Sequence, residues 1–459
     1  MRHKNVDMLS GNLLKNIIIF AIPVMLGGWL QMFFHSADVI VIGQFCGSAS
    51  VGAMGATGSI SALLINLFMG LSVGASVSVA HAVGSGDNYS VYKTVHTAIL
   101  TAVLGGLCIA LIGVPLSKTV LRLMDTPESV IGLSTAYMRI ILGGSVFSMI
   151  YNFGSAILRA VGDSKKPLYF IAVGGVTNVF LNLFFVLVLK LDVLGVALAT
   201  VMSNALSAFL VIRTLTLRED VCRLVLKELR IYKDAFVKIV KIGFPSGVQN
   251  SLFSIANVII QSSVNSFGEA MMSAHTAGSN INSFTNVAVA GFSSATINFV
   301  GQNVGAKQYN RVRKVIFTCL WLTVLVGSVL GLTVYLLGEP LLSIYITDSP
   351  LAIEYGLIRM KYVGLLYAIY AAYDVFSSAL RGMGKSALGM FISLMGSCAV
   401  RILWIVVVFA QPAFHTPTVL FLSFPVSWTV SMFAMMAGVL LCLRKLPKTD
   451  KESPEKSPA

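Results

Sequence analysis

Acidic residues are scarce in this chain. Of 459 residues only 19 are Asp or Glu, against 33 Lys or Arg, and all charged residues together make up 11%. A soluble protein of this size carries about 25%, so most of the surface is not built to face water. Catalytic signatures are missing as well. No Walker A, HExxH, GxSxG or paired-carboxylate motif occurs, which argues against direct ATP drive and against hydrolytic chemistry. The chain therefore reads as a non-enzyme that needs no cofactor. The six cysteines (Cys46, Cys108, Cys222, Cys319, Cys398, Cys442) are dispersed, with no CxxC and no Cys/His cluster. They read as small packing residues rather than a zinc site or disulfide framework. Long polar stretches are also absent, and the longest is about Arg213–Lys233.

What is present is apolar sequence, at 56% of residues. A membrane-crossing helix needs about 20 mostly apolar residues. Twelve such stretches are legible, at 16–43, 50–82, 94–115, 131–158, 168–189 and 193–214, then 236–265, 270–300, 315–337, 352–380, 387–410 and 417–442. The first is too long for the apolar core of a signal peptide. The two sets of six repeat one another. Pro23 matches Pro245, Asp125-Thr126-Pro127 matches Asp348-Ser349-Pro350, Leu158-Arg159 matches Leu380-Arg381, and Lys93 matches Lys314. The offsets, by subtraction, are 222, 223, 222 and 221. An even number of spans returns the chain to its starting side, so both halves share one orientation. The expected fold is an all-α membrane protein: twelve transmembrane helices in two six-helix lobes related by a pseudo-two-fold along the membrane normal. The expected division is an N-lobe at 1–214, a linker at 215–235, a C-lobe at 236–443 and a disordered tail at 444–459.

The net charge of +14 would suit nucleic acid, but the bases fall on alternate loops. With the N-terminus inside, the outer loops hold only Lys118, Arg122 and Lys190, and nearly all other Lys and Arg are inside. That is the positive-inside pattern, so both termini are expected on the cytoplasmic face of the cell membrane, with the bilayer rather than nucleic acid as partner. The mixed-charge linker is expected to be an amphipathic helix lying on the membrane surface.

Of the acids, two fall well inside predicted spans: Asp38 and Asp374. A carboxylate there must face a cavity or a partner. Gln31, His35 and Asp38 share one helix face. Pro23, about four turns earlier, removes a backbone donor and permits a bend, making it a candidate hinge; a static bend is the alternative. Asn178 and Asn182 lie one turn apart on the fifth span, and Thr200 lies on the sixth. Their oxygens suit Na⁺ or a protonated carboxyl, although helix–helix hydrogen bonding would use the same residues. The candidate cation-coupling set is Asp38, Asn178, Asn182 and Thr200, with Asp38, Asn178 and Thr200 a possible Na⁺ site. Gln31, His35, Asn152 and Asp374 are candidates for a substrate cavity. Arg401, on the span after Asp374, is expected to neutralise it directly or through a polar intermediary. His275 reads as a packing donor among small residues.

Phe20-Ala-Ile-Pro23, Ala37-Asp38-Val-Ile-Val, Gly70-Leu-Ser-Val-Gly74, Leu158-Arg159-x-x-Gly162, Gly195-x-Ala-Leu-Ala-Thr200 and Ala379-Leu-Arg381-Gly382, in this order, resemble the multidrug and toxic compound extrusion (MATE) family across about 10–445. The resemblance implies two six-helix lobes and export of bulky, often cationic or amphipathic compounds by antiport against H⁺ or Na⁺. It implies that Asp38 is the first-helix acid and Pro23 the bending proline. Asn182 departs from the aspartate that many relatives carry, and Ser254 stands where one branch has a glutamate. Both departures weaken a sodium site. The expectation is a secondary exporter coupled to H⁺ in preference to Na⁺, working as a monomer on small organic substrates. Its rivals are a flippase for lipids or lipid-linked oligosaccharides and a non-transporting scaffold or channel.

Overall fold

Long apolar runs leave the backbone one economical option in a bilayer, which is to satisfy its N–H and C=O groups within a helix. A computed structural model describes residues 5–124, 126–347 and 349–447, and it is helical almost throughout. Asp125 and Asp348 of the repeated motif, Arg2 and Lys4 of the lead, and the tail from Lys448 lie outside the described residues. The chain divides into two compact units. One holds Leu26–Gly247 and the leading residues to Val6. The other holds Asp7–Met25 and everything from Val248.

In the first unit, the second part of α1 (Leu13–Phe45) is followed by α2 (Ser48–Ser85), α3 (Asn88–Leu123), α4 (Glu128–Gly143), α5 (Ser145–Ala160), α6 (Lys165–Leu183), α7 (Asp192–Thr216) and the start of α8 (Lys233–Asn265). Its core is aliphatic and aromatic, with Val95, Ile99, Leu121, Leu142, Met149, Phe153 and Ile157 buried together. Outward faces stay apolar too, as with Leu107, Leu111 and Ile112 on α3, which suits lipid contact. Gly70 and Gly74 let α2 touch α8 backbone to backbone. A Cβ on Gly70 would lie 2.1 Å from the Gly247 nitrogen, and one on Gly74 would lie 2.2 Å from the Ile239 carbonyl oxygen. Gly243 and Gly247 repeat the same four-residue spacing on the facing helix, the small-residue solution for close packing in lipid.

The second unit continues with the rest of α8, then α9 (Glu269–Gly305), α10 (Tyr309–Leu336), α11 (Gly338–Ser343), α12 (Pro350–Arg359), α13 (Tyr367–Gly382), α14 (Ser386–Ser393), α15 (Val400–Leu403) and α16 (Pro417–Arg444). Ser349 and Thr416 cap α12 and α16 through the amides of Ala352 and Val419. π-helical turns follow α6, α12, α14 and α15. Ile260, Val264, Val363, Phe421, Phe424 and Trp428 form its main core. The Asn303 amide and the Arg311 guanidinium bind the carbonyls of Met8, Ser10 and Gly11, tying the lead to this unit.

Among the described residues, eight helices are long and apolar enough to cross a membrane, or ten if each of two bent pairs is one span. The bent pairs are α4 with α5 and α12 through α13, each turning by 42°. They correspond in the repeat. The fourth and tenth spans, expected as single runs, are therefore broken. In the first unit the break falls at Gly143-Gly144. In the second it follows a π turn at Met360–Gly364, the kind of insertion that kinks helices. The remaining two spans, α8 and α9, have 33 and 37 residues but carry too many polar side chains to pass by composition. Twelve helical spans in two units result.

The linker differs from expectation. It is not an amphipathic α-helix: between α7 and α8 only the 3-10 turn Leu226–Glu228 is helical. Two of its apolar residues point into protein, since Cys222 and Leu224 are 1% exposed, while Val221, Leu226 and Ile231 stay exposed. Its backbone is fixed from outside: His96 Nε2 accepts from the Val225 amide at 3.0 Å and Thr97 Oγ1 from the Tyr232 amide at 3.1 Å. With those amides bound to side chains of α3, the segment lacks the i to i−4 ladder a helix requires.

Candidate functional site

Asp38 occupies the second part of α1 and is 9% exposed. Asn182 Nδ2 donates to Asp38 Oδ1 at 2.5 Å and to Asn178 Oδ1 at 3.3 Å. Asn178 Nδ2 donates to Thr200 Oγ1 at 3.5 Å, and that hydroxyl donates to the Val196 carbonyl at 2.9 Å. The four residues singled out for cation coupling thus form one hydrogen-bonded chain across α1, α6 and α7. Val41, Ile42, Val186, Val193 and Val196 pack beside it as a buried apolar cluster. Among the described residues no Lys or Arg pairs with Asp38, and Asn182 Oδ1 is buried without a partner.

A cavity of about 210 Å³ opens beside the chain of bonds. Gln31, His35, Asp38, Asn152, Asn178 and Thr200 all line it. Small residues let its walls approach: a Cβ on Gly174 would lie 2.2 Å from Ser207 Oγ. Sequence reasoning missed Ser148, Tyr151, Ser203, Asn204 and Ser207, which complete the polar part of the lining. Their signal was available, because Thr200, Ser203, Asn204 and Ser207 follow helical spacing along one face of α7.

Pro23 is not at this cavity. It lies inside an uninterrupted α1, three residues before the point where the helix passes from one unit to the other, and Pro245 lies in the same position of α8. Asp374 belongs to the second unit, apart from the other candidates. The Ser293 hydroxyl donates to its carboxylate, and Arg381 Nη2 lies 3.5 Å from its Oδ1. The expected partner, Arg401, binds Ser427 Oγ at 3.1 Å and stacks 4.5 Å from the Phe424 ring centre. The Asp374–Arg401 pairing is therefore overturned. Arg381 sits two turns along the same helix and reaches the carboxylate first, while Arg401 is occupied by α16. His275 stacks on Phe421 with ring centres 6.1 Å apart and leaves Nδ1 without a partner.

Oxygen atoms of a carboxylate, two amides and a hydroxyl, gathered beside a cavity, can hold a proton or a hard cation. Among the described residues no cluster of three or more His, Cys, Asp or Glu suggests a transition-metal centre. The chain is similar in sequence and fold to known proteins. "Probable multidrug resistance protein YpnP" of Bacillus subtilis is 28% identical over 400 residues, covering 87% of this chain and 89% of its own. "Probable multidrug resistance protein NorM" of Thermotoga maritima is 28% identical over 398 residues, covering 84% of each. A solved structure described as an outward-facing conformation of a multidrug resistance MATE family transporter superposes with a TM-score of 0.89 at 19% identity, covering 97% of this chain and 99% of its own. The MatE family profile matches residues 23–184 and 245–407, one stretch in each half of the repeat. With both halves matched, the chain belongs to the MatE family of multidrug and toxic compound extrusion transporters.

Proposed function

We propose that the chain is a secondary-active exporter of organic, often cationic, amphipathic compounds, driven by inward flow of H⁺ rather than Na⁺. The observation that carries this reading is Asp38: a buried carboxylate on a cavity wall, held by an amide and lacking a basic partner. Such a group gains or loses charge with a proton, and its charge changes what the cavity prefers to hold. Protonation of Asp38 from outside weakens a bound organic cation and releases it; return to the inside releases the proton. Asn182 presents its amide nitrogen to Asp38, which occupies a lone pair that a sodium ion would need. With Asn182 in place of an aspartate, the site also holds a single carboxylate. Both features favour H⁺. Pro23 and Pro245 supply bending points in the two helices that cross between units.

The division into an N-lobe, linker and C-lobe, the cytoplasmic location of both termini in the cell membrane, and action as a monomer belong to the same proposal. They rest on the basic inner loops and the repeat. A flippase would need a basic cavity for phosphate, and the Asp38 cavity has no Lys or Arg in its lining. The test is flux in proteoliposomes. Ethidium should move against its gradient when a pH gradient is imposed and fail to do so with a sodium gradient at equal pH. Drive by sodium alone would reverse the ion assignment, and no drive by either would end the antiport reading.

A further inference from the structure

The second unit buries an arginine that its protein neighbours do not neutralise. Arg359 ends α12, is 4% exposed, and lies where the π turn Met360–Gly364 begins. Its Nη2 donates to Ser279 Oγ at 3.1 Å, but Nε and Nη1 are buried without partners. Among the described residues it forms no ion pair. Facing it on α9 is a polar stripe, His275, Ser279, Asn282 and Asn286, spaced four, three and four residues apart on one helix face. Asn282 is 7% exposed and both its amide atoms lack partners, as does His275 Nδ1. Asn286 donates to the hydroxyls of Tyr367 and Tyr370 at 3.0 and 3.1 Å. Tyr370 is half-buried, with Trp428 5.3 Å from it between ring centres. Asp374 cannot serve Arg359, being engaged by Ser293 and Arg381.

Packing of the repeat does not demand this charge. At the offset of 222 the counterpart of Arg359 is Tyr137, and those of His275, Ser279, Asn282 and Asn286 are Ala53, Thr57, Ile60 and Leu64. The first half builds the same bent span with a tyrosine at that position, and Arg139 two residues further on is exposed. A buried charge without a partner is costly, and polar groups inside membrane spans mark ligand paths more often than scaffolding. Guanidinium and amide N–H groups both suit a carboxylate or phosphate, and Asn282 lies one turn along α9 from the Ser279 that Arg359 binds.

We propose that Arg359, Ser279 and Asn282 form a site for the anionic group, carboxylate or phosphate, of an organic ligand whose ring system packs beside Tyr370. This deepens the exporter reading by adding organic anions and zwitterions to its substrates. It concerns binding alone, so failure of ion-driven flux would sink the exporter reading and leave this site standing.

The test uses the purified full-length chain in neutral detergent and carboxyfluorescein anisotropy. Saturable binding is expected, weakened tenfold or more by Arg359→Gln and by less in Arg359→Lys. Lys118→Gln, an exposed control on α3 of the other unit, should leave it within twofold. Asn282→Ala keeps the charge, carries the test if Arg359→Gln does not elute as a folded species, and should weaken binding threefold or more. Rhodamine 6G, a cation of similar size, should bind Arg359→Gln at least as tightly as the parent chain. Displacement of carboxyfluorescein by phosphatidylglycerol would assign the site to a lipid headgroup, and no displacement to a soluble anion; both keep the anion site. Absence of saturable binding, or equal carboxyfluorescein affinity in folded Arg359→Gln and Asn282→Ala, would overturn the proposal.

Discussion

Asn182 makes the first residue-level test. Its amide donates to Asp38 and to Asn178 while its own oxygen goes unmatched. Asn182→Asp removes the donor and puts a second carboxylate against the first. Two close carboxylates share a proton or hold a cation between them. Flux in the variant should therefore become sodium-dependent and shift its pH optimum upward; unchanged ion dependence would remove Asn182 from the coupling site. A second residue-level test concerns Asp374. A double-mutant cycle of Asp374→Asn with Arg381→Gln, read by thermal unfolding in detergent, should show coupling of about 1 kcal/mol or more, whereas Asp374→Asn with Arg401→Gln should be additive within about 0.5 kcal/mol. The reverse ranking would restore the Arg401 pairing. This correction shows why contacts were less legible than positions. The sequence marks charges within apolar spans, but it does not say whether Asp374 pairs along its own helix, with Arg381, or across to the next, with Arg401. Only the arrangement of α13 and α16 decides which one arrives.

Two elements carry their own tests. The α2–α8 crossing depends on backbone approach, so Gly74→Val should destabilise the first unit by about 1–3 kcal/mol through overpacking against the Ile239 carbonyl, seen as a lowered detergent melting temperature. A neutral outcome would mean the helices can part freely. The linker is held at its start by Arg218 and Asp220. Burial alone would raise the Asp220 carboxyl, but the Arg218 guanidinium overrides it and holds the pKa below the ordinary 3.8. A group lowered on folding stabilises the fold above its unfolded pKa, and that contribution is lost as pH falls through the folded value. Asp220→Asn should therefore speed amide exchange across 217–225 at pH 7, with the difference from the parent chain closing as acid protonates the carboxylate, below the ordinary 3.8. An effect that persists undiminished at pH 2 would deny the ion pair its role. The linker is also where periodicity misled. Its mixed charge fits an amphipathic helix, but the bonds from His96 and Thr97 that prevent one come from residues about 130 positions away, which no local pattern records.

For the whole molecule, the repeat was the most legible feature, because two halves with one span order leave little freedom in topology. Both profile matches fall within those halves. The bends in the fourth and tenth spans were hidden, since Gly143-Gly144 and a π turn leave the apolar run unbroken. Asp38, Asn178, Asn182 and Thr200 were legible because polar atoms inside spans are few, and helices α1, α6 and α7 bring all four together. Residues that only line the cavity were less visible, since serines on a membrane helix also serve as packing. Coupling at Asp38 is the central claim, and linkage makes it measurable without a membrane: a cation and a proton competing for one carboxylate must displace each other. Ethidium added to the purified protein in weakly buffered detergent should release protons, about half of one per bound ligand at the pH where Asp38 is half protonated and rising toward one below it, and Asp38→Asn should release none while remaining folded. Proton release of equal size from Asp38→Asn would contradict the account.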